Sequence, residues 1–275
     1  MQVNTNYALN QDVYLNINQS LNRISTGVEL NQSSDNASSL SIANSLLSQS
    51  NGYSKAIENT NSAIASSQIA SGATNEQSNI LDNIKGKLLQ ASTDTTSQEG
   101  RTAILKDIQS QLEQFNKIGS DTNYNGQTLL QKSKDDTAAT DAQQYQSGLT
   151  GDNIIETASV QSNTEGLGLS NLVNQNSATF TASDARSFLE NVDKAINGLN
   201  DIRTDIGATQ NQLESSSRNL LTQQTSTLSA ASMFDTDYSK ESSNFSKQNI
   251  LSQIGAYGQV QANSINQQSV LRLLS

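Results

Sequence analysis

Residues 228–275 read LSAASMFDTDYSKESSNFSKQNILSQIGAYGQVQANSINQQSVLRLLS, and this stretch decides what kind of fold the chain can form. Its apolar residues recur mostly at steps of three, four or multiples of these, as on one face of an α-helix. The stripe comprises Ile250, Ile254, Tyr257, Ile265, Val270, Leu271, Leu273 and Leu274. The other face is almost uncharged, since only Lys247 and Arg272 carry charge from Ser242 onward. Surface helices normally carry charge on their solvent side, so the pattern predicts a helix that packs on several sides.

The amino-terminal residues have the same character. Asp12, Arg23 and Glu29 are the only charged residues between positions 1 and 34. Apolar residues there step by four, four, three and four, namely Val13, Ile17, Leu21, Ile24 and Val28. Two weakly charged amphipathic ends predict helices that pack against each other and against other copies of the chain.

The composition favours thin packing of helices over a wide core. Only 33% of the 275 residues are hydrophobic and 4% are aromatic, whereas soluble domains average roughly 45–50% apolar residues. Such a chain buries little apolar surface per ordered residue. The net charge of −10 argues against nucleic acid or an anionic membrane as a partner. No apolar run approaches the roughly 18 residues that span a bilayer.

Few residues in this sequence could carry catalytic chemistry. The chain has no His and no Cys, which excludes a Ser-His-Asp triad, a thiol nucleophile and an HExxH zinc site. The neighbouring acids Asp135 and Asp136, like Asp235 and Asp237, are typical of solvated charge or helix caps. We therefore expect no enzyme activity, no catalytic residue, no cofactor and no metal. No secretory signal pattern precedes Arg23, the first basic residue.

The central sequence predicts an elongated, coiled-coil-like helical rod. A helical stripe runs without proline to about Ala91, after a break or cap at residues 33–36. A second helix is expected from about Glu99 to Ile118, ended by Gly119 and the Ser-Asp-Thr that follows it. The Asn-Gly turn in residues 123–126 then predicts a β-hairpin.

A heptad pattern returns from Ser183, and Ser183 with Asp184 can cap the start of that helix. A period of 3.5 residues kept this long indicates a coiled-coil seam. The predicted seam comprises Leu105, Ile108, Leu112 and Phe115 in the second helix and Phe188, Val192, Leu199, Ile202, Ile206, Leu213 and Leu220 in the third.

The residues between these helices, 131–181, differ in character. Short apolar pieces such as residues 153–155 and 157–160 lie among glycines and polar residues. This favours a small β-rich insert that faces outward; a partly disordered loop is the alternative. The fold class predicted for the whole chain is mainly α, with paired terminal helices and this β-rich insert.

Sequence blocks at both ends resemble those of bacterial flagellins. At the amino end the blocks are Arg23–Gly27 (RISTG), Asn31–Asp35 and Ser41–Asn44 (SIAN). At the carboxyl end they are Leu228–Ala231, Asp235–Tyr238, Ser246–Leu251, Gln261–Asn263 and Val270–Leu274. The turn at residues 123–126 is similar to the turn into the family's β-hairpin. The resemblance covers roughly residues 1–130 and 182–275.

This resemblance implies a structural subunit that polymerises into the flagellar filament used for swimming. It implies inner-core helices at 1–40 and 235–275, an outer-core rod with a β-hairpin at 41–130 and 182–234, and a reduced variable insert at 131–181. The protein is then expected outside the cell, in the flagellum, exported without a cleaved signal peptide.

The partners implied by the resemblance all belong to the flagellum. They are other copies of the chain and other flagellins, an export chaperone on the carboxyl-terminal region, the filament cap, the hook-junction proteins and the flagellar type III secretion apparatus. Two alternatives stay open: a hook–filament junction protein of the same architecture, and an adhesin on the filament surface.

One stretch departs from the family pattern. In many flagellins the helix that corresponds to residues 81–90 carries Arg and Leu residues that the host innate receptor binds. This chain has Asn83, Gly86 and Lys87 there. The hypothesis is that it evades that receptor.

Overall fold

A computed structural model describes the backbone of residues 2–274 and the side chains of residues 11–32, 36–258 and 260–261. The described chain is mainly helical, with two small antiparallel strand pairs. The helices are α1 (Gln2–Thr26), α2 (Ser33–Ala91), α3 (Gln98–Asp121), α4 (Ser170–Val173), α5 (Ala182–Ala231) and α6 (Tyr238–Leu274), with a 3-10 turn at Ser232–Phe234. The strands are β1 (Asn123–Tyr124), β2 (Gln127–Thr128), β3 (Gln144–Gln146) and β4 (Ile154–Glu156).

The chain folds as two compact units. One contains residues 1–51 and 224–275, and the other contains residues 52–223. The predicted fold class is confirmed by these elements, including the pairing of the terminal helices α1 and α6. The finer division into inner core, outer core and insert at the predicted boundaries stays a prediction.

The start of α2 has the predicted break. Asn36 has extended backbone angles (φ −166°, ψ 98°) inside the span of α2. Its Oδ1 accepts a hydrogen bond from the Ser39 amide at 3.1 Å, which is the geometry of a helix cap. Regular helix therefore begins after Asn36 and continues to Ala91, the predicted end.

Helix α3 begins and ends differently from the prediction. Ser97 Oγ caps its start by accepting from the Gly100 amide at 3.1 Å. Of the predicted stop, Gly119 is wrong, because α3 continues to Asp121, whereas Thr122 is the C-cap. The Thr122 amide and hydroxyl both donate to Ile118 O, at 3.2 and 2.6 Å, and close the helix instead. Gly119 is buried inside α3, where a Cβ would be in ordinary van der Waals contact with Gln77, Ser162 and Gln131.

The hairpin predicted at residues 123–126 is confirmed. Strands β1 and β2 pair antiparallel, with Asn123 opposite Thr128 and Tyr124 opposite Gln127. Asn125 and Gly126 form the two-residue turn and both have positive φ, 51° and 80°. Two successive left-handed residues make a type I′ turn, which Asn-Gly favours because Gly has no Cβ.

The insert contains short strands, as favoured over a disordered loop. Strands β3 and β4 pair antiparallel, with Tyr145 opposite Ile155. The predicted piece at residues 157–160 is not a strand, although the Thr157 amide bonds to Gln143 O and the Thr140 amide bonds to Val160 O. Helix α5 is capped two residues earlier than predicted. Thr181, and not Ser183, exchanges hydrogen bonds with Asp184 in a capping box.

The main core of residues 52–223 is an apolar seam shared by α2, α3, α4 and α5. Leu112 and Phe115 of α3 are fully buried there, as is Val192 of α5. Two smaller clusters lie elsewhere in this unit, one around Ile206 and one around Leu213. The insert contributes Val160 to the first and Ile155 to the second, so it covers apolar surface of the long helices.

We expect Leu112→Ala to lower the free energy of unfolding by about 2–5 kcal/mol, because it leaves a cavity in a fully buried site. Leu89→Ala is the matched control, since Leu89 of α2 is 51% exposed. Urea unfolding followed by circular dichroism measures both. Equal effects of the two substitutions would contradict the core assignment.

The turn glycine offers a second test. Gly126→Ala is expected to destabilise by about 1–2 kcal/mol, because a left-handed residue with a Cβ is strained. Gly86→Ala is the control: Gly86 lies in α2, and its added methyl would meet no atom within 4 Å. That change is expected to stabilise by about 0.5–1 kcal/mol through helix propensity. Unfolding midpoints that move in the same direction would argue against the turn type.

Candidate assembly surface

The two ends of the chain are joined by main-chain hydrogen bonds just beyond α1. Val28 and Asp235 form an antiparallel bridge. The Glu29 amide donates to Phe234 O at 3.0 Å, and the Thr236 amide donates to Gly27 O at 2.9 Å. This places the end of α1 beside the start of α6, and the two helices pack against each other.

Gly27 makes this junction possible. Its φ of +76° is in the left-handed region, which lets the chain turn out of α1 at little cost. A Cβ on Gly27 would also lie 2.9 Å from the Tyr238 hydroxyl oxygen. Both observations explain why the first residue after α1 is glycine.

An ion pair closes the junction. A guanidinium nitrogen of Arg23 lies 3.8 Å from Glu241 Oε1, and the Glu241 side chain is only 8% exposed. Asn244 Nδ2 donates to the other carboxylate oxygen at 3.4 Å, and the Thr236 hydroxyl donates to the Arg23 carbonyl at 3.4 Å. The sequence identified Arg23 as one of three charged residues in the first 34 positions and as part of a block, but assigned it no partner. Glu241 was missed, although an acid directly before an almost uncharged stretch was a usable signal.

The predicted stripe of α1 is divided between buried and exposed positions. Val13, Ile17, Ile24 and Val28 are partly buried. Leu21 is 45% exposed, and Tyr14 and Leu15 outside the stripe are 57% and 61% exposed. Packing of α1 against α6 therefore leaves much apolar surface of α1 uncovered.

Helix α6 exposes still more. The predicted residues Ile250, Ile254 and Tyr257 are 57%, 60% and 77% exposed, and Leu251 and Val260 are 45% and 68% exposed. Ile265, Val270, Leu271, Leu273 and Leu274 lie outside the residues whose side chains are described. We call the exposed residues the terminal apolar set: Tyr14, Leu15 and Leu21 of α1 with Ile250, Leu251, Ile254, Tyr257 and Val260 of α6. A set this large on a pair of helices is typical of an interaction surface.

The predicted seam residues occupy the opposite environment. Ile202 is partly buried, and the others are at most 9% exposed. Those others are Leu105, Ile108, Leu112, Phe115, Phe188, Val192, Leu199, Ile206, Leu213 and Leu220. They hold residues 52–223 together and offer little surface to a partner. Asn83 and Gly86 are exposed, and Lys87 is partly buried and paired with Asp107.

The described part of the chain shows no candidate metal site, and a pKa shift is resolved there for one residue, Glu190. It contains no group of three or more acidic, His or Cys residues placed to hold a metal ion. Among its helices none is both long and apolar enough to cross a membrane. The pKa of Glu190 is lowered, first by a hydrogen bond from Lys194 and then by the charge of that lysine. This pair lies on the exposed side of α5 and is an ordinary i,i+4 ion pair.

Comparison with known proteins matches both ends of the chain. A family model described as the bacterial flagellin N-terminal helical region matches residues 1–135, and one described as the C-terminal helical region matches residues 189–274. Flagellin A of Helicobacter felis is 32% identical over 207 residues, which are 73% of this chain and 38% of the relative. A flagellin of Halalkalibacterium halodurans is 29% identical over 264 residues, 94% of this chain and 93% of the relative.

The chain matches about a quarter to two fifths of the length of the Helicobacter relatives. Among solved structures, the Bacillus cereus flagellin superposes with a TM-score of 0.51 at 22% identity, over 59% of this chain and 88% of that one. A putative flagellar hook-associated protein from Vibrio parahaemolyticus superposes with a TM-score of 0.58 at 10% identity, over 72% and 98%. These identities show a shared fold only. The two family matches together cover most of the chain, which belongs to the bacterial flagellin family.

Proposed function

We propose that this chain is a structural subunit that polymerises into the flagellar filament used for swimming. The observation that carries the proposal is the terminal apolar set, which lies on α1 and α6, and both helices lie within the regions that match the flagellin family models. Exposed apolar side chains of this size in a single copy are stabilised when a second copy covers them.

The near absence of charge on α6 supports self-association. Between Ser242 and the end of the chain only Lys247 and Arg272 are charged. Copies of such a helix can approach each other without the repulsion that like charges would produce in a chain of net charge −10. When the contacting patches on two copies differ, the interface does not close on itself and an open helical fibre results.

The junction at Gly27 and Arg23 supports a defined subunit shape. Its main-chain bonds and ion pair fix α1 beside α6 within one copy, before any neighbour is added. A neighbour then meets a pre-organised pair of helices, and less conformational entropy is lost on binding.

We propose no catalytic role. Flagellins are structural proteins, and the sequence has neither His nor Cys. Rotation of the filament would come from a separate motor, so the subunit has only to transmit torque through its packing.

The remaining flagellar partners belong to the same proposal. The chain is exported unfolded through the flagellar type III secretion apparatus, with a chaperone on its carboxyl-terminal region, and is added beneath the filament cap outside the cell. The absence of proline, and with it of slow prolyl isomerisation, suits a chain that must refold quickly. The filament would begin on the hook-junction proteins and could include other flagellins.

A hook–filament junction protein has the same terminal architecture. The putative hook-associated protein that superposes on this chain is only 10% identical in sequence, so the similarity concerns the fold alone. The flagellin relatives and the matches at both ends favour the filament subunit. Seeded regrowth in concentrated salt, followed by sedimentation and electron microscopy, separates the two functions, because only a filament subunit makes long fibres alone.

We expect Ile254→Ser to raise the critical concentration for polymerisation about tenfold or more. Burying an isoleucine side chain is worth roughly 1.5–3 kcal/mol, and 1.4 kcal/mol is a factor of about ten in affinity. The measurement is the protein left in the supernatant after seeded regrowth.

Gln253→Ser is the matched control, since it alters the neighbouring exposed position without removing apolar surface. It should leave the critical concentration unchanged. Circular dichroism should show that both variants keep the helix content of the parent chain. Unimpaired growth of the Ile254→Ser protein would contradict the assembly role of the terminal apolar set.

The junction is tested by Arg23→Met, which leaves the buried Glu241 carboxylate without its charged partner. The expected loss of local stability is roughly 1–3 kcal/mol. Hydrogen exchange of the Gly27, Glu29 and Thr236 amides should then be at least several-fold faster. The control is Lys55→Met, which removes the exposed pair with Glu58 and is expected to cost about 0–1 kcal/mol. Equal protection in the two variants would show that the ion pair does not hold the junction.

A further inference from the structure

Three buried polar residues from separate parts of the chain meet around Gly119 of α3. Gln77 comes from α2, Gln131 follows the β1–β2 hairpin, and Ser162 belongs to the insert; all three are at most 2% exposed. A Cβ built on Gly119 would lie 3.4 Å from Gln77 Nε2, 3.4 Å from Ser162 O and 3.7 Å from Gln131 Cβ. None of these residues belongs to the terminal apolar set.

The side-chain amide of Gln77 has only one workable orientation. Its Nε2 donates to two main-chain carbonyls, Phe115 O at 3.1 Å and Ser162 O at 2.9 Å. The reverse orientation would place Oε1 against two carbonyl oxygens, none of which can donate a hydrogen bond. Gln77 Oε1 is therefore directed away from both carbonyls.

The amide of Gln131 is fixed in the same way. Its Nε2 donates to Ala138 O at 3.0 Å and to a carboxylate oxygen of Asp136 at 3.4 Å. Both acceptors require the nitrogen on that side. Gln131 Oε1 is left on the opposite side of the amide.

Each of the three residues therefore has one oxygen without a partner. Gln77 Oε1, Gln131 Oε1 and Ser162 Oγ are all buried, and none has a hydrogen-bond partner in the described part of the chain. A buried oxygen that has lost water and gained no donor is costly, so such atoms are rare and normally bind ordered water. Their neighbours differ, since Asn116 and Thr164 bond to each other twice, at 2.9 Å each.

We propose that a buried water molecule bridges these three residues. The hydrogen-bonding capacities match, because water donates twice, to Gln77 Oε1 and Gln131 Oε1, and accepts once, from the Ser162 hydroxyl. Three bonds are typical of a buried water. A metal ion suits the site poorly: the three oxygens are neutral, and the nearby Asp136 carboxylate already accepts from Gln131 and from the Ser133 amide.

The bridging water has a structural role. It joins α2, the segment after the hairpin and the insert at a point where α3 has no side chain. It therefore fastens the insert to the helices through a polar contact, in a chain that has few apolar residues to spare for this contact.

The direction in which Ser162→Ala shifts the melting temperature tests the proposal. Ser162 Oγ has no hydrogen-bond partner in the described part of the protein, so Ser162→Ala removes a hydrogen bond only if the hydroxyl donates to a water molecule. If the hydroxyl is hydrated, its loss leaves the water one bond short, and the melting temperature of the purified full chain falls by a few degrees. If the site is dry, removal of an unsatisfied oxygen leaves the melting temperature unchanged or higher. The control is Ser159→Ala on the same segment, which is exposed and should not shift the melting temperature.

The water molecule can also be observed directly in an experimental density map. A crystal or filament map that shows ordered waters should contain density within hydrogen-bonding distance of both Gln77 Oε1 and Ser162 Oγ, and this density should be absent for Ser162→Ala. A map without density there, or an unchanged or raised melting temperature for Ser162→Ala, would overturn the proposal. A melting temperature that responds selectively to potassium over sodium would also overturn it, because it would identify a cation.

Discussion

The shortage of apolar side chains is the constraint on which the rest of the structure depends. Within residues 52–223, α2 contributes Leu81, Ile84 and Leu88 to the main seam but buries hydroxyl residues in its earlier turns. The hydroxyls of Thr60 and Thr74 donate to carbonyls four residues before them, at 2.7 and 3.1 Å. Because the helix itself satisfies these groups, it can be covered by the insert without apolar residues at every inward position.

In the terminal helices, unlike in α3 and α5, many of the apolar side chains stay exposed. The apolar period of α1 and α6 resembles that of α3 and α5, yet Ile254 and Tyr257 are largely exposed whereas Leu112 and Val192 are buried. The difference lies in the number of neighbours. Helices α2, α4 and α5 surround α3, whereas α1 and α6 share a compact unit in which much of their apolar surface stays open. In the proposed function, other copies of the chain cover these exposed apolar side chains.

Sequence periodicity predicted the elements well because it reports which face of a helix is apolar. It identified the end of α2 at Ala91 and the Asn-Gly hairpin. It failed at Gly119, because the sequence alone does not distinguish a glycine inside a helix from one that ends a helix. It also missed Thr181 as the cap of α5, the burial of Glu241 and the polar cluster around Gly119. The cap is a local hydrogen-bond exchange with Asp184, which an apolar period does not report. The burial of Glu241 and the polar cluster depend on contacts between residues far apart in the chain.

The contact between Arg23 and Glu241 fixes the register of α6 along α1, which apolar contacts alone do not fix. Apolar surfaces attract without direction, so α6 could slide along α1 by one helical turn, about 5.4 Å, and still bury similar area. Such a shift would separate Arg23 from Glu241 and break the bonds from Glu29 to Phe234 and from Thr236 to Gly27. A buried charge that must keep its partner makes the shifted register costly. Each copy therefore presents its terminal apolar set in a single register, and a regular polymer requires identical subunits.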